Sequence, residues 1–223
     1  MLIAPPPWTL TGNGIILVAH FPEAFVRAQG FLAPYQQRVY RGWIGTVMLV
    51  DYATSPVGPY QELLFIPGLF QFGNVTSFSI SKIYVSGNDS VWNGRQNWGI
   101  PKELADFSFV TNSDGSQTIS VRCDDQPVLS LRATPRGLRF PITTKIIPGF
   151  RVMQKRLMAT GFASKPEGNL LLTRPSATGS ARLTSLSELR VNAAFFPDLG
   201  QIKPLAVLSV ENFRMTFPLP EPR

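Results

Sequence analysis

Cysteine is almost absent: Cys123 is the single example in 223 residues. That excludes an internal disulfide framework and any thiolate-rich metal site. Because Cys123 alternates with Ile119 and Val121, it reads as a buried strand thiol rather than a nucleophile. Histidine is equally scarce, and His20 alone excludes a multi-histidine metal centre. It follows the apolar run Ile15-Ile16-Leu17-Val18-Ala19, where a structural role suits it better than catalysis. No apolar run approaches the roughly 20 residues of a membrane helix. The opening Met1-Leu2-Ile3-Ala4-Pro5-Pro6-Pro7-Trp8 lacks the basic leader and apolar core of a secretory signal. A cytoplasmic protein with no membrane partner is the resulting expectation. Charged residues are sparse at 16%, with an excess of +7, but the lysines and arginines occur singly rather than as the coherent basic patch that phosphate binding needs. The densest group, Arg151, Lys155 and Arg156, reads as a solvated face, and no nucleic-acid partner is expected.

What the chain does have is apolar residues (44%) together with 20 prolines and 18 glycines scattered as punctuation. That pattern favours short strands joined by turns over long helices. A length of 223 residues suits one β domain over 1–223. Strands are expected over 15–20, 43–52 and 60–66. A short helix is expected over 22–29, where Pro22 and Glu23 favour a start and Gly30 an exit. Alternation over 118–123 and 129–133 predicts a hairpin with one packed face, and further short strands are expected at 141–150 and 168–174. In 204–217 the apolar parity changes between Leu208, Val210 and Phe213, Met215, Phe217, which predicts a bulge near Glu211-Asn212. The sum is a mainly β fold with few short helices, built as a curled, mostly antiparallel sheet or barrel-like body.

Chemistry concentrates in Gly94-Arg95-Gln96-Asn97-Trp98-Gly99-Ile100-Pro101-Lys102-Glu103-Leu104-Ala105. Pro101 suggests that Lys102 sits at the start of a short turn or helix. Among Trp98, Ile100 and Leu104 a lysine can be desolvated, and burial favours the neutral amine that attacks carbonyls to form an imine. Lowering its pKa by about three units corresponds to roughly 4 kcal/mol of differential stabilisation, within reach of a buried pocket and beyond a solvated loop. On composition and spacing alone, an ordinary surface lysine remains the competing reading.

The same block resembles the Gly-Arg…Pro-Lys-Lys-Leu region of the acetoacetate decarboxylase superfamily. Ser55-Pro56-Val57-Gly58-Pro59-Tyr60-Gln61-Glu62 resembles that family's Gly-x-Tyr-x-Glu stretch, at a matching interval from Glu62 to Lys102. The resemblance covers residues 8–107. It implies a cone-like antiparallel body around a cavity, a Schiff-base lysine at Lys102, a cavity carboxylate at Glu62, homo-oligomeric assembly and no dissociable cofactor or metal. Arg95, Trp98, Tyr60 and Tyr84 become candidate pocket residues, and Tyr52 is a packing candidate with a polar end. Three departures stand out: Glu103 replaces the second lysine, and Asn13 and Val47 fall where the family has a carboxylate-binding arginine and another glutamate. An asparagine cannot supply the charged fork of arginine.

The expected activity is a cofactor-independent Schiff-base lyase, foremost a decarboxylase of a keto acid larger and less polar than acetoacetate. An imine-dependent aldolase or dehydratase is an alternative. A second alternative is a non-covalent binder or isomerase that holds a hydrophobic carbonyl metabolite in an apolar cavity.

Overall fold

The computed structural model describes residues 1–147, 149–156 and 169–223. In chain order the elements are β1 (Trp8–His20), α1 (Glu23–Gln29), α2 (Pro34–Gln37), β2 (Tyr40–Gly42), β3 (Ile44–Thr54), β4 (Tyr60–Ile66), β5 (Leu69–Phe72), β6 (Val75–Phe78) and β7 (Lys82–Val85). There follow α3 (Asn88–Trp98), β8 (Glu103–Leu104), β9 (Asp106–Thr111), β10 (Gln117–Cys123), β11 (Gln126–Thr143), β12 (Val152–Lys155), β13 (Leu170–Thr173), β14 (Ser176–Val191), β15 (Ala206–Phe217) and β16 (Glu221–Pro222). Ten strands form one sheet in the order β8-β7-β4-β3-β1-β15-β14-β11-β10-β9, nearly closed into a barrel. Its described pairings are antiparallel except β7 with β8. Six further strands form a second sheet, β16-β13-β12-β6-β5-β2. No helix among the described residues is long and apolar enough to cross a membrane.

At β4 the sheet is apolar on both faces because alternate residues serve two separate cores. From β4, Leu63 and Phe65 join Leu17, Val47, Leu49 and Tyr84 on one side. Tyr60, Leu64 and Ile66 join Tyr52, Val50, Trp98 and Ile100 on the other. Each fully buried Leu- or Phe-sized side chain contributes about 1.5–3 kcal/mol of transfer free energy. Two-sided burial explains the near-continuous apolar run in β4, where strict alternation would have marked a half-wet strand.

The expected parity change in β15 is a bulge. Asn212 adopts φ 51°, pairing with β1 skips a residue between Gly12 and Gly14, and the Asn212 backbone N–H donates to Asn13 Oδ1 at 2.9 Å. Leu208 and Phe213 can thereby lie on one face despite opposite parity. The strand expected over 141–150 is replaced by the end of β11 at Thr143 and a 3-10 turn over Thr144–Ile146. Pro148 and Gly168, which fell within expected strands, lie outside the described residues.

Lys102 does not sit on a helix begun by Pro101. The helix comes earlier, as α3, and ends at Gly99, whose φ is 67°. The Gly99 N–H donates to Arg95 O and the Ile100 N–H to Gly94 O, closing the helix in the left-handed manner glycine permits. A proline shortly after such an ending is an exit signal, since proline cannot continue the helix.

Gly99→Ala should be strongly destabilising. Its Cβ would meet Lys155 O at 2.4 Å as well as adopting a left-handed backbone, for a cost of about 1–3 kcal/mol from the backbone alone. Gly58→Ala shares the positive φ, but its Cβ would meet nothing within 4 Å. Thermal melts should show a fall of about 2–4 °C per kcal/mol, larger for Gly99→Ala than for Gly58→Ala.

Candidate active site

The chain leaving α3 doubles back along the helix. Arg95 Nε donates to Lys102 O at 2.7 Å and Lys102 N to Ile100 O at 2.8 Å, which lays the lysine stem across Gly94. A Cβ at Gly94 would lie 2.6 Å from Lys102 Cδ and 2.9 Å from Cε, so the bare backbone makes room for the stem. One helical turn before Gly94, the amine meets Ser90, donating to its Oγ at 3.0 Å. Lys102 Nζ also donates to the Tyr60 hydroxyl at 3.3 Å and stands 3.0 Å from Glu62 Oε2, with both side chains only 5% exposed.

Strand β4 supplies the other half. Tyr60 and Glu62, two residues apart, point to the same face, and Tyr52 lies opposite Tyr60 on β3 with ring centroids 4.6 Å apart. The Tyr52 hydroxyl donates to Glu62 Oε1 at 3.2 Å. Directly across from Glu62 lie Val50 on one side and Val85 on the other, so the carboxylate is set in an apolar stripe of sheet.

Electrostatics correct the expected neutral lysine. Burial, the largest single influence on Lys102, pushes its pKa down, but the Glu62 carboxylate and then Tyr60 together outweigh it, and the net direction is up from 10.5. The resting amine is therefore an ammonium ion. Burial, partly opposed by the Lys102 charge, pushes Tyr60 up to about 12; burial and then Glu62 push Tyr52 well above its ordinary 10.0. Both phenols stay protonated at neutral pH. Glu103 is not the offsetting charge: on its short strand it turns to Lys82, 2.7 Å away.

The other expected site residues divide. Trp98 walls the same core, edge-on to Trp8 and Phe217, with its indole N–H on Pro218 O at 2.8 Å. Arg95 braces the lysine's backbone. Tyr84 lies in the opposite core and donates to Phe195 O at 3.1 Å. Val47 is buried in that opposite core as well, and Asn13 is exposed on β1 holding the bulge. Ser90 escaped the sequence reading; its spacing of four from Gly94 on the helix before Lys102 was the available signal. A cavity of about 210 Å³ lies elsewhere, lined by Trp43, Leu69, Phe78 and Arg151 among others. Among the described residues no cluster of three or more His, Cys, Asp or Glu side chains is placed to hold a metal ion.

Residues 31–157 match the family model for acetoacetate decarboxylase (ADC), a span that takes in Tyr52, Tyr60, Glu62, Ser90 and Lys102. The chain belongs to the acetoacetate decarboxylase family. Among similar proteins, NEOXANTHIN-DEFICIENT 1 of Arabidopsis thaliana is 26% identical over 108 residues, covering 47% of this chain and 37% of that protein. Its namesake in Oryza sativa is 26% identical over 106 residues, covering 46% and 34%. The match thus spans only about a third of the length of these curated relatives. The crystal structure of acetoacetate decarboxylase from Legionella pneumophila superposes with a TM-score of 0.73 at 14% identity, covering 98% of this chain and 88% of that one. The enduracididine biosynthesis enzyme MppR, complexed with pyruvate, gives 0.68 at 14% identity, covering 99% and 91%. At such identities the likeness is one of fold. It extends over nearly the whole of this acetoacetate decarboxylase-family chain, well beyond the 8–107 stretch in which the motifs were legible.

Glu62→Gln removes the main influence holding the Lys102 proton and leaves burial, which acts downward, against Tyr60 alone. Competitive acetylation read by mass spectrometry should place the wild-type Lys102 midpoint above 10.5 and the variant's midpoint well below it. The raised lysine pKa also gives this contact a pH window. Its stabilisation is complete below the unfolded lysine value near 10.4 and is lost as pH rises through the folded one. Alkaline unfolding of the wild type should accordingly show a component that Glu62→Gln lacks.

Proposed function

We propose that this family member is a lyase in which Lys102 forms an imine with a carbonyl substrate and Glu62 carries protons to and from it. The observation that carries this reading is the 3.0 Å contact between a buried amine and a buried carboxylate. Transfer of one proton from the ammonium to Glu62 frees the nitrogen lone pair. The amine adds to the carbonyl carbon, the carbinolamine loses its oxygen as water, and a protonated imine remains. That imine accepts the electron pair of a bond at the adjacent carbon, giving an enamine. The proton Glu62 first took leaves with that water, so Glu62 draws another from solvent and delivers it to the enamine carbon. Water then hydrolyses the imine to release product and restore the lysine. Tyr52, donating to the far carboxylate oxygen, fixes the orientation of Glu62; Ser90 and Tyr60 fix that of the amine.

The bond that supplies the electrons distinguishes decarboxylation, the outcome in the family's name, from retro-aldol cleavage or dehydration. A raised lysine pKa does not oppose the scheme, because the partner that raises it is also the nearest acceptor for the proton. A second reading, non-covalent binding without an imine, is favoured by Asn13 and Val47 standing where the family's charged residues fall.

Incubation with a panel of carbonyl compounds and borohydride should leave a reduced adduct on Lys102 by peptide mapping, and Lys102→Ala should remove it. Glu62→Gln should retain trapping while slowing product formation by about 10²–10⁴, the usual range for a proton-transfer group. Turnover without an adduct would reject the imine; adduct formation with unchanged turnover in Glu62→Gln would remove Glu62 from proton transfer.

A further inference from the structure

We propose that the cavity on the six-stranded sheet is a binding site for a small aromatic carboxylate, with Trp43 and Phe78 against the ring and Arg151 on the anionic group. The site is separate from Lys102 and does not depend on the imine. The cavity measures about 210 Å³ and is bounded by Trp43, Leu69, Thr76, Phe78 and Arg151 among others. Strand pairing explains why these residues meet. Gly42 pairs with Leu69 and Leu69 with Phe78, and Phe78 lies beside Val152, the residue after Arg151, in the parallel pairing of β6 with β12. Four strands thus bring their side chains to one line. Leu69, Thr76 and Phe78 share a face of the sheet, whereas Phe70 and Phe72 are buried in the core on the other.

Trp43 is held in an unusual pose. It is 54% exposed, and its backbone φ is 85°, next to Gly42 at 83°. A bulky residue adopts a positive φ rarely and only where its surroundings enforce it. Here the chain over 66–68 presses on the bend, and glycine gives it room. A Cβ at Gly68 would lie 2.4 Å from Gly42 O, and one at Gly45 would lie 2.3 Å from Ile66 O. The Tyr40 hydroxyl ties the two segments by donating to Pro67 O at 3.2 Å. The indole is thereby set beside Phe78, with ring centroids 6.3 Å apart, and Phe150 backs Phe78 at 5.6 Å. An indole left half in water beside a second ring offers a flat apolar surface to a third.

Arg151 supplies the charge. Its Nε donates to Thr76 O at 2.8 Å, and its own carbonyl accepts from the Phe78 N–H at 3.0 Å, so the side chain is anchored next to the rings. Among the described residues no carboxylate forms an ion pair with it. With Nε committed, the two terminal nitrogens remain as an end-on fork, the geometry that holds a carboxylate through two parallel hydrogen bonds. The excess of +7 over the chain adds a general attraction for anions. Size then limits the ligand. A cavity of about 150 Å³ accommodates benzene, so 210 Å³ suits one ring with a short acidic substituent.

Three probes test the site on the intact protein: 4-fluorobenzoate, 4-fluorobenzamide, which keeps the ring but not the charge, and cyclohexanecarboxylate, which keeps the charge but not the ring. Fluorine NMR titration gives the first two dissociation constants, and displacement of 4-fluorobenzoate gives the third. The benzoate is expected to saturate with a dissociation constant of about 1 mM or tighter, and the other two to bind at least about tenfold more weakly. Arg151→Gln and Trp43→Ala should each weaken the benzoate at least about tenfold, whereas Lys102→Ala should bind it as the wild type does, which separates this site from the imine. No saturation by about 10 mM, parity of either comparison probe with the benzoate, or undiminished binding in either cavity variant would overturn the proposal. The probe comparison on the wild type decides alone where a variant does not fold. Sedimentation velocity covers the remaining case: if Trp43→Ala dissociates an oligomer and the wild type binds no benzoate, this face is a contact between copies of the chain and the proposal falls.

Discussion

An ammonium ion and a carboxylate held together away from water are the constraint around which this part of the molecule is arranged. Such a pair contributes little net stability, since desolvating two ions offsets most of their attraction, and apolar replacements of both are often neutral or better. Removing one partner is another matter, because it strands a charge or forces its neutralisation. The residues that enclose the pair read accordingly. Tyr52, Tyr60 and Ser90 satisfy its polar atoms, while Val50, Val85 and Trp98 keep the surrounding sheet and helix apolar. Neither ion of the pair can be changed without leaving the other buried beside apolar strands.

The fold was legible where local chemistry and tertiary demand agreed. Proline and glycine punctuation gave the β architecture, the parity change gave the β15 bulge at Asn212, and 60–66 was read as the strand it is. It failed where one signal has two meanings. Pro101 marks the end of a helix as readily as the start of one, and only the left-handed Gly99, a tertiary fact, decides between them. The remainder of β1, from Trp8, and the full length of β11 and β14 were hidden because partner strands, not local alternation, extend them.

Within the site, Lys102 and Glu62 were legible through motif and interval, and Tyr60 through its place two residues from Glu62. The protonation state was not. Sequence spacing says that a lysine is surrounded by apolar residues, and that alone argues for a neutral amine. It does not say that a carboxylate forty residues upstream arrives within hydrogen-bond distance and reverses the sign. Val47 shows the complementary limit. Neighbouring positions on a strand face opposite cores, so an alignment placed without the sheet's parity can assign a residue to the wrong side of a wall.

The outer face of α3 carries one more consequence. Asp89, Asn93 and Asn97, spaced four apart, grip the backbone of the first few residues: Leu2 N–H bonds to Asp89, Ala4 N–H and Leu2 O to Asn93, and Ala4 O to Asn97 and the Trp8 indole. The same helix presents Ser90 and Gly94 inward to the lysine. Residues 2–4 are therefore fastened to the helix whose Ser90 holds the Lys102 amine. The leading residues and the Lys102 amine are thus joined through one helix, the former held by its Asp89, Asn93 and Asn97 and the latter by its Ser90.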